Sequence, residues 1–252
     1  MHVQGQDERR GAPGMSRRMA LRLVAAVTVG GAASTALVAC GAGGHKVGSP
    51  QVTDFTAPGP AVQAATANPA DPKTMYAFTK TGQILMIGFG NNIFGTADQF
   101  GFLYAPASGD GAWSVRVSQQ EHTSDFAKAG LMVRGSTDPG APFVDMLAIP
   151  GGDAEVLEWR DSAGASAGRI PHGPGHPHAP IFLQLTKKGQ VFTGAISTDG
   201  SSWHNHYQHT ASAFGSKYLV GLAACSQSTK YGLDVFSHLK GFTPTAYAAI
   251  GA

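Results

Sequence analysis

The stretch Ile181-Phe-Leu-Gln-Leu-Thr-Lys-Lys-Gly-Gln-Val-Phe-Thr-Gly-Ala-Ile-Ser197 decides the fold. Ile181, Leu183 and Leu185 recur at period two, so an extended chain here has one apolar face. Lys187-Lys188-Gly189-Gln190 supplies a polar turn, and Val191-Phe192-Thr193 then resumes the apolar run. Two such runs joined by a short Gly-containing turn form an antiparallel hairpin. Asp199-Gly200 makes the next turn and leads to Trp203.

The same grammar extends in both directions. Phe100, Phe102 and Tyr104 alternate, as do Trp113, Val115 and Val117. Strands are predicted at 83–89, 99–104, 112–120, 129–134, 143–149, 154–160, 181–186, 191–197, 203–208, 218–224 and 233–240, with no convincing helix. Strands of this number and spacing predict an all-β domain, a two-sheet antiparallel β-sandwich of jelly-roll type.

Composition agrees. The 252 residues hold 34 Gly and 15 Pro, with 42% hydrophobic and 13% charged residues, which suits one domain with an ordered core. The formal charge of +2 includes Arg9, Arg10, Arg17, Arg18 and Arg22, all near the N-terminus. Without them the chain is near neutral or slightly acidic, which speaks against nucleic acid as a partner.

Those arginines belong to a second signal. Ser16-Arg-Arg-Met-Ala-Leu-Arg22 precedes an apolar run from Leu23 to Ala39 that contains Gly30 and Gly31. Charged, apolar and small residues in that order form an export signal, too short for a comfortable membrane-spanning helix. The first element resembles the twin-arginine motif, and Leu37-Val-Ala-Cys40 resembles the lipobox of bacterial lipoproteins. The resemblance implies removal of residues 1–39 and acylation of Cys40. Several acyl chains hold a protein stably on a membrane, so the expected location is the extracytoplasmic face of the cell envelope. Residues 40–50 are then the lipidated cysteine and a tether, 51–244 the sandwich and 245–252 a tail; the stretch 57–72 reads as an irregular connection. Cys225, at the end of an apolar run, reads as a small buried hydrophobe rather than a reactive thiol.

Three stretches carry a family resemblance: Ile93-Phe-Gly-Thr-Ala-Asp-Gln-Phe-Gly-Phe-Leu-Tyr104, Ser108-Gly-Asp-Gly-Ala-Trp-Ser-Val-Arg-Val-Ser118 and Phe126-Ala-Lys-Ala-Gly-Leu-Met-Val-Arg134. The pattern resumes from Phe182 to Trp203 and at Tyr218-Leu-Val-Gly-Leu-Ala. Together they resemble the concanavalin A-like jelly roll of the bacterial "regulation of enolase protein 1-like" group, related to laminin G-like modules and to the C-terminal sandwich domains of β-xylosidases. That resemblance implies a non-catalytic, carbohydrate-associated role and offers no catalytic residues to carry over.

The residues give the same expectation. Jelly-roll glycosidases set acids at alternate positions of one strand face, and no such run is present. Glu155 and Glu158, three apart, fall on opposite faces and read as solvated rim charges. Phe126-Ala-Lys-Ala-Gly130 loosely resembles a motif of jelly-roll alginate lyases, without its companion strands. Asp98, Asp110 and Asp199 lie in turns, where they cap backbone amides or, alternatively, bind calcium. Trp113 reads as core. Trp159, flanked by charges, is the leading platform for stacking on a sugar, set against core packing as the ordinary fate of such a ring, and forms a candidate ligand site with Arg160 and Tyr207. His176 and His178, brought toward His204 and His206 by the hairpin scheme, form a candidate zinc, copper or nickel site, set against a solvated His- and Pro-rich loop that binds nothing. The competing functions are a polysaccharide hydrolase or lyase with a diverged site, and a structural or protein-interaction module.

Overall fold

The computed structural model describes residues 55–56, 63–66, 74–79, 81–151, 155–171, 178–212 and 214–242. The predicted export signal, Cys40, the predicted tether and the predicted tail, 245–252, lie outside them.

Two antiparallel sheets pack face to face. The larger has eight strands in the order β1 (Phe55–Thr56), β3 (Met75–Thr79), β4 (Ile84–Gly88), β15 (Gly232–Lys240), β6 (Gly111–Gln120), β11 (Ile181–Lys188), β12 (Val191–Ser197) and β13 (His204–Thr210). The smaller has seven, in the order β10 (Gly168–Pro171), β9 (Glu155–Arg160), β8 (Phe143–Ala148), β7 (Lys128–Arg134), β14 (Lys217–Cys225), β5 (Gly101–Ser108) and β2 (Gln63–Thr66). This is the jelly-roll sandwich the sequence predicts. All eleven predicted strands are present, and the Lys187–Gln190 turn joins β11 to β12 in register from Phe182↔Ser197 to Lys188↔Val191.

Four strands were not predicted. β2 lies inside the stretch read as an irregular connection and pairs with β5. β1, β3 and β10 are two, five and four residues long, too short for period two to stand out.

Alternation fixes what each face buries. In β7, Ala129, Leu131 and Val133 point between the sheets, where they meet Val144, Met146, Leu183 and Trp113. The intervening residues Lys128, Met132 and Arg134 point to the other side, away from the eight-stranded sheet. That second face is buried too, because every residue of β7 and of β8 is shielded from solvent. The cover is the β4–β5 connection, residues 89–100. It drops Ile93 and Phe100 onto Phe102, Met132, Phe143, Leu147 and Cys225 to form a second apolar cluster.

Candidate functional site

Beneath this cover the smaller sheet carries its charges. Asp98, in the covering segment, sits between two arginines of the sheet. Its Oδ2 accepts hydrogen bonds from Arg134 Nη1 and Arg160 Nη1, each at 2.6 Å, and its Oδ1 accepts one from Arg160 Nη2, also at 2.6 Å. All three side chains are fully buried. Arg134 also donates to the carbonyls of Asp138 and Pro139, and Arg160 to those of Gly95, Ala141 and Ala165. Their guanidinium groups lie 5.8 and 4.9 Å from the centre of the Phe143 ring. The bidentate Arg160–carboxylate contact, with the other Arg160 donors met by carbonyls, is the form in which a buried ion pair is tolerated, while Arg134 Nε has no partner among the described residues.

A second pair lies on the same face, with Glu158 two residues before Arg160 on β9 and Lys128 at the far end of β7 from Arg134. Lys128 Nζ donates to both oxygens of Glu158, at 2.8 and 2.9 Å, and to the Ile93 carbonyl at 2.9 Å. Glu158 stands directly opposite Asp145 across the β8–β9 ladder. Neither oxygen of Asp145 has a hydrogen-bond partner, although the carboxyl is fully buried. Burial and the facing Glu158 charge push its pKa well above the carboxylate range, and Lys128 offsets only part of this. Burial raises Glu158 as well, but the nearby ammonium lowers it. Of the two opposed carboxyls, Asp145 is the one without a cation in contact, so burial raises it further than Glu158.

These contacts correct two expectations. Glu158 is not a solvated rim charge, because Lys128, thirty residues earlier in the chain, neutralises it inside. Asp98 is not a turn cap or a calcium ligand, because both oxygens are taken by arginines. Asp199 does act as a local cap, whereas Asp110 caps the β11–β12 turn, far along the chain, rather than its own. Asp110 Oδ1 accepts from the Gly189 amide, and Asp199 Oδ1 from the amides of Ser201 and Ser202, which hold the Asp199 carboxyl well below the usual range.

The predicted ligand residues do not form one surface. Arg160 has no exposure, so it cannot touch a ligand while it holds Asp98. Trp159 points the opposite way from its charged neighbours, into the edge of the space between the sheets. There its ring stacks on His209 at 4.0 Å, and His209 Nε2 contacts Asp161 Oδ1 at 2.7 Å. Tyr207 lies on the same inward side of β13 and packs against the main core. Trp159 and Tyr207 therefore close an edge of the sandwich instead of offering an open platform.

Of the predicted metal ligands, His178 directs Nδ1 at the Ile149 carbonyl, at 3.1 Å, and His204 is exposed on β13. His176 and the side chain of His206 lie outside the described residues. Among the described residues no three His, Cys, Asp or Glu side chains gather as a metal-binding group.

An open site does exist, at the end of the sandwich where β4 finishes and β15 begins. Phe89, Gly90, Asn91 and Gln99 on one side, and residues 228–231 on the other, enclose a depression of about 170 Å³. Tyr231, partly exposed and backed by the buried Phe89 with ring centres 6.5 Å apart, forms its aromatic wall. Gln99 Oε1 accepts from the Asn91 amide, and the Lys230 amide donates to Ser228 Oγ. At Gly90, with φ of 93°, a Cβ would lie 1.9 Å from the Gln99 carbonyl oxygen, so only glycine permits this close approach. Both walls are thus held by backbone contacts, a preformed concavity with an apolar side and several polar groups. Sequence reasoning missed this site: its two walls come from segments about 130 positions apart.

Comparison with known proteins supports the architecture. No family model matches the chain, and no curated protein matches it. A functionally unknown protein from Saccharomyces cerevisiae superposes with a TM-score of 0.56 at 18% identity, over 73% of this chain and 97% of that one. A carbohydrate-binding module from Bacillus subtilis gives 0.45 at 16% identity, over 70% and 92% of the two chains. An alginate lyase from Klebsiella pneumoniae gives 0.43 at 10%, over 66% and 83%. At 18% identity the likeness to the yeast protein shows the fold alone.

Proposed function

We propose that this chain is a non-catalytic, lipid-anchored domain on the extracytoplasmic face of the cell envelope, and that it binds a carbohydrate in the depression walled by Tyr231. One observation carries the reading. Asp145 and Glu158, two carboxyls directly opposed across a ladder, are sealed under the 89–100 cover, and Glu158 is tied to Lys128. A polymer cannot reach them. The depression, by contrast, is open and combines an aromatic wall with Asn91, Gln99 and Lys230, groups suited to stack on and hydrogen-bond a sugar ring.

The test is a glycan array probed with the acylated full-length protein in detergent, with reducing-end release measured on every glycan bound. Binding that falls at least about tenfold in Tyr231→Ala, with no release of reducing ends, is the expected outcome. Release of reducing ends that disappears in Glu158→Gln would make the protein an enzyme and overturn the proposal. Failure of Tyr231→Ala to weaken a bound glycan would remove the depression as its site.

A further inference from the structure

The two ends of the sandwich differ in charge, and the strand register shows which of them the anchored segment approaches. Strand β15 spans them. Its first residue, Gly232, pairs with Gly88 beside the depression, and its last, Lys240, pairs with Ser114 near the start of β6. Nine residues of strand separate the ends by about 25 Å. At the Lys240 end the β11–β12 turn carries Lys188, and β14 starts at Lys217 opposite Ser108. Phe55 opens β1 opposite Thr79, one position beyond the Phe78↔Ile84 pair, so the chain enters β1 from this same end.

Lys188, Lys217 and Lys240 are all exposed, and among the described residues none has an ion-pair partner. Lys187 is different: it is buried over the Tyr218 ring and donates to the Gly109 and Gly189 carbonyls. Asp110, the acid nearest the β11–β12 turn, is engaged by the Gly189 amide. Asp138 and Asp161 lie farther across the smaller sheet, and Asp161 is bound to His209. Val191, 38% exposed, stands beside this turn; the other large exposed apolar side chain among the described residues, Phe126, precedes β7 at the opposite end. Exposed lysines around an exposed aliphatic side chain match a bilayer surface that bears anionic headgroups.

Resting on the reading of Cys40 as an acylated residue, we propose that the end bearing Lys188, Lys217, Lys240 and Val191 lies against anionic phospholipid headgroups of the anchoring membrane. The depression at Tyr231 then faces away from that membrane. Fourteen residues separate Cys40 from Phe55. Fully extended they span at most about 50 Å, so the domain stays within reach of the bilayer, and the lysines select which end meets it. Each lysine near an anionic surface strengthens the contact about fivefold, so three together contribute on the order of a hundredfold.

The acylated full-length protein would be reconstituted in phosphatidylcholine vesicles with or without phosphatidylglycerol. An environment-sensitive fluorophore would be placed on Gln190→Cys, at the lysine end, or on Ser201→Cys, at the depression end; buried Cys225 does not compete for the label. Flotation with the vesicles reports the anchor, and quenching by headgroup-proximal doxyl lipid reports the face. The expected result is quenching at position 190 but not 201, in phosphatidylglycerol vesicles only. Raised salt should weaken it, as should the combined Lys188→Gln, Lys217→Gln and Lys240→Gln substitutions. Protein that floats but shows equal quenching at both positions, or none at 190, or quenching indifferent to phosphatidylglycerol or to the three substitutions, overturns this inference and leaves the anchor intact. Protein that does not float removes the anchor and the inference with it.

Discussion

On the eight-stranded sheet, outward positions such as Arg116, Phe182, Gln184 and Thr193 keep partial contact with water. Outward positions of the seven-stranded sheet carry Lys128, Arg134, Asp145, Glu158 and Arg160, yet these five are almost wholly buried. The more highly charged face is therefore the drier one. Side-chain polarity alone does not assign a strand face to solvent; what decides is whether another segment brings counter-charges. On the smaller sheet residues 89–100 do so through Asp98 and the Ile93 and Gly95 carbonyls, while the larger sheet has only contacts such as Arg116 over the Phe182 ring at 5.7 Å.

Removing the counter-charge should break this contrast most strongly. Asp98→Ala leaves Arg134 and Arg160 buried without their carboxylate, and a loss of about 3–5 kcal/mol in denaturant-unfolding stability is expected. A loss below about 1 kcal/mol would mean that water already reaches the covered face. Cys225 measures the same cover from below, since its Sγ lies 3.4 Å from the Gly90 carbonyl and 3.5 Å from that of Gln99. Burial pushes its thiol up to about 12. Native protein should therefore react with a disulfide reagent at pH 8 roughly a thousandfold more slowly than free cysteine, and Asp98→Ala should recover much of that factor.

The lone carboxyl provides a smaller, pH-dependent effect. Asp145 has its folded pKa raised above the unfolded value, so its contribution is fully present below the unfolded pKa and declines as pH rises toward the folded one. Stability of the wild type should fall across that window. Asp145→Asn should flatten the decline and gain on the order of 1 kcal/mol relative to wild type between pH 5 and pH 8. A parallel pH profile for the two proteins would mean that Asp145 is not the group responsible. At the other extreme, Arg116→Ala on the larger sheet should change stability by no more than about 0.5 kcal/mol, the ordinary range for a partly exposed side chain.

Period two in the sequence revealed most of the fold, because strands such as β6 and β11 bury one face and leave the other in water. β7 was legible through Ala129, Leu131 and Val133, but the fate of Lys128 and Arg134 was not, since their partners Glu158 and Asp98 lie in other segments of the chain. Trp159 misled for a related reason. Its charged neighbours Glu158 and Arg160 point to the opposite side of β9, so they carry no information about the exposure of the ring between them. The depression stayed hidden because Phe89 and Tyr231 meet only through the β4–β15 pairing.

That pairing also sets a timetable. β15, the last described strand of the chain, lies in the middle of the eight-stranded sheet, between β4 and β6. Until residues 232–240 have left the ribosome, β1, β3 and β4 have no neighbour that joins them to β6, and the larger sheet remains two fragments with open edges. Long-range pairings of this kind also make folding slow, on a scale of milliseconds to seconds for all-β domains. The nascent chain therefore needs protection of its strand edges throughout synthesis, and a stop codon that removed even this one late strand would cost the sheet its centre rather than its margin.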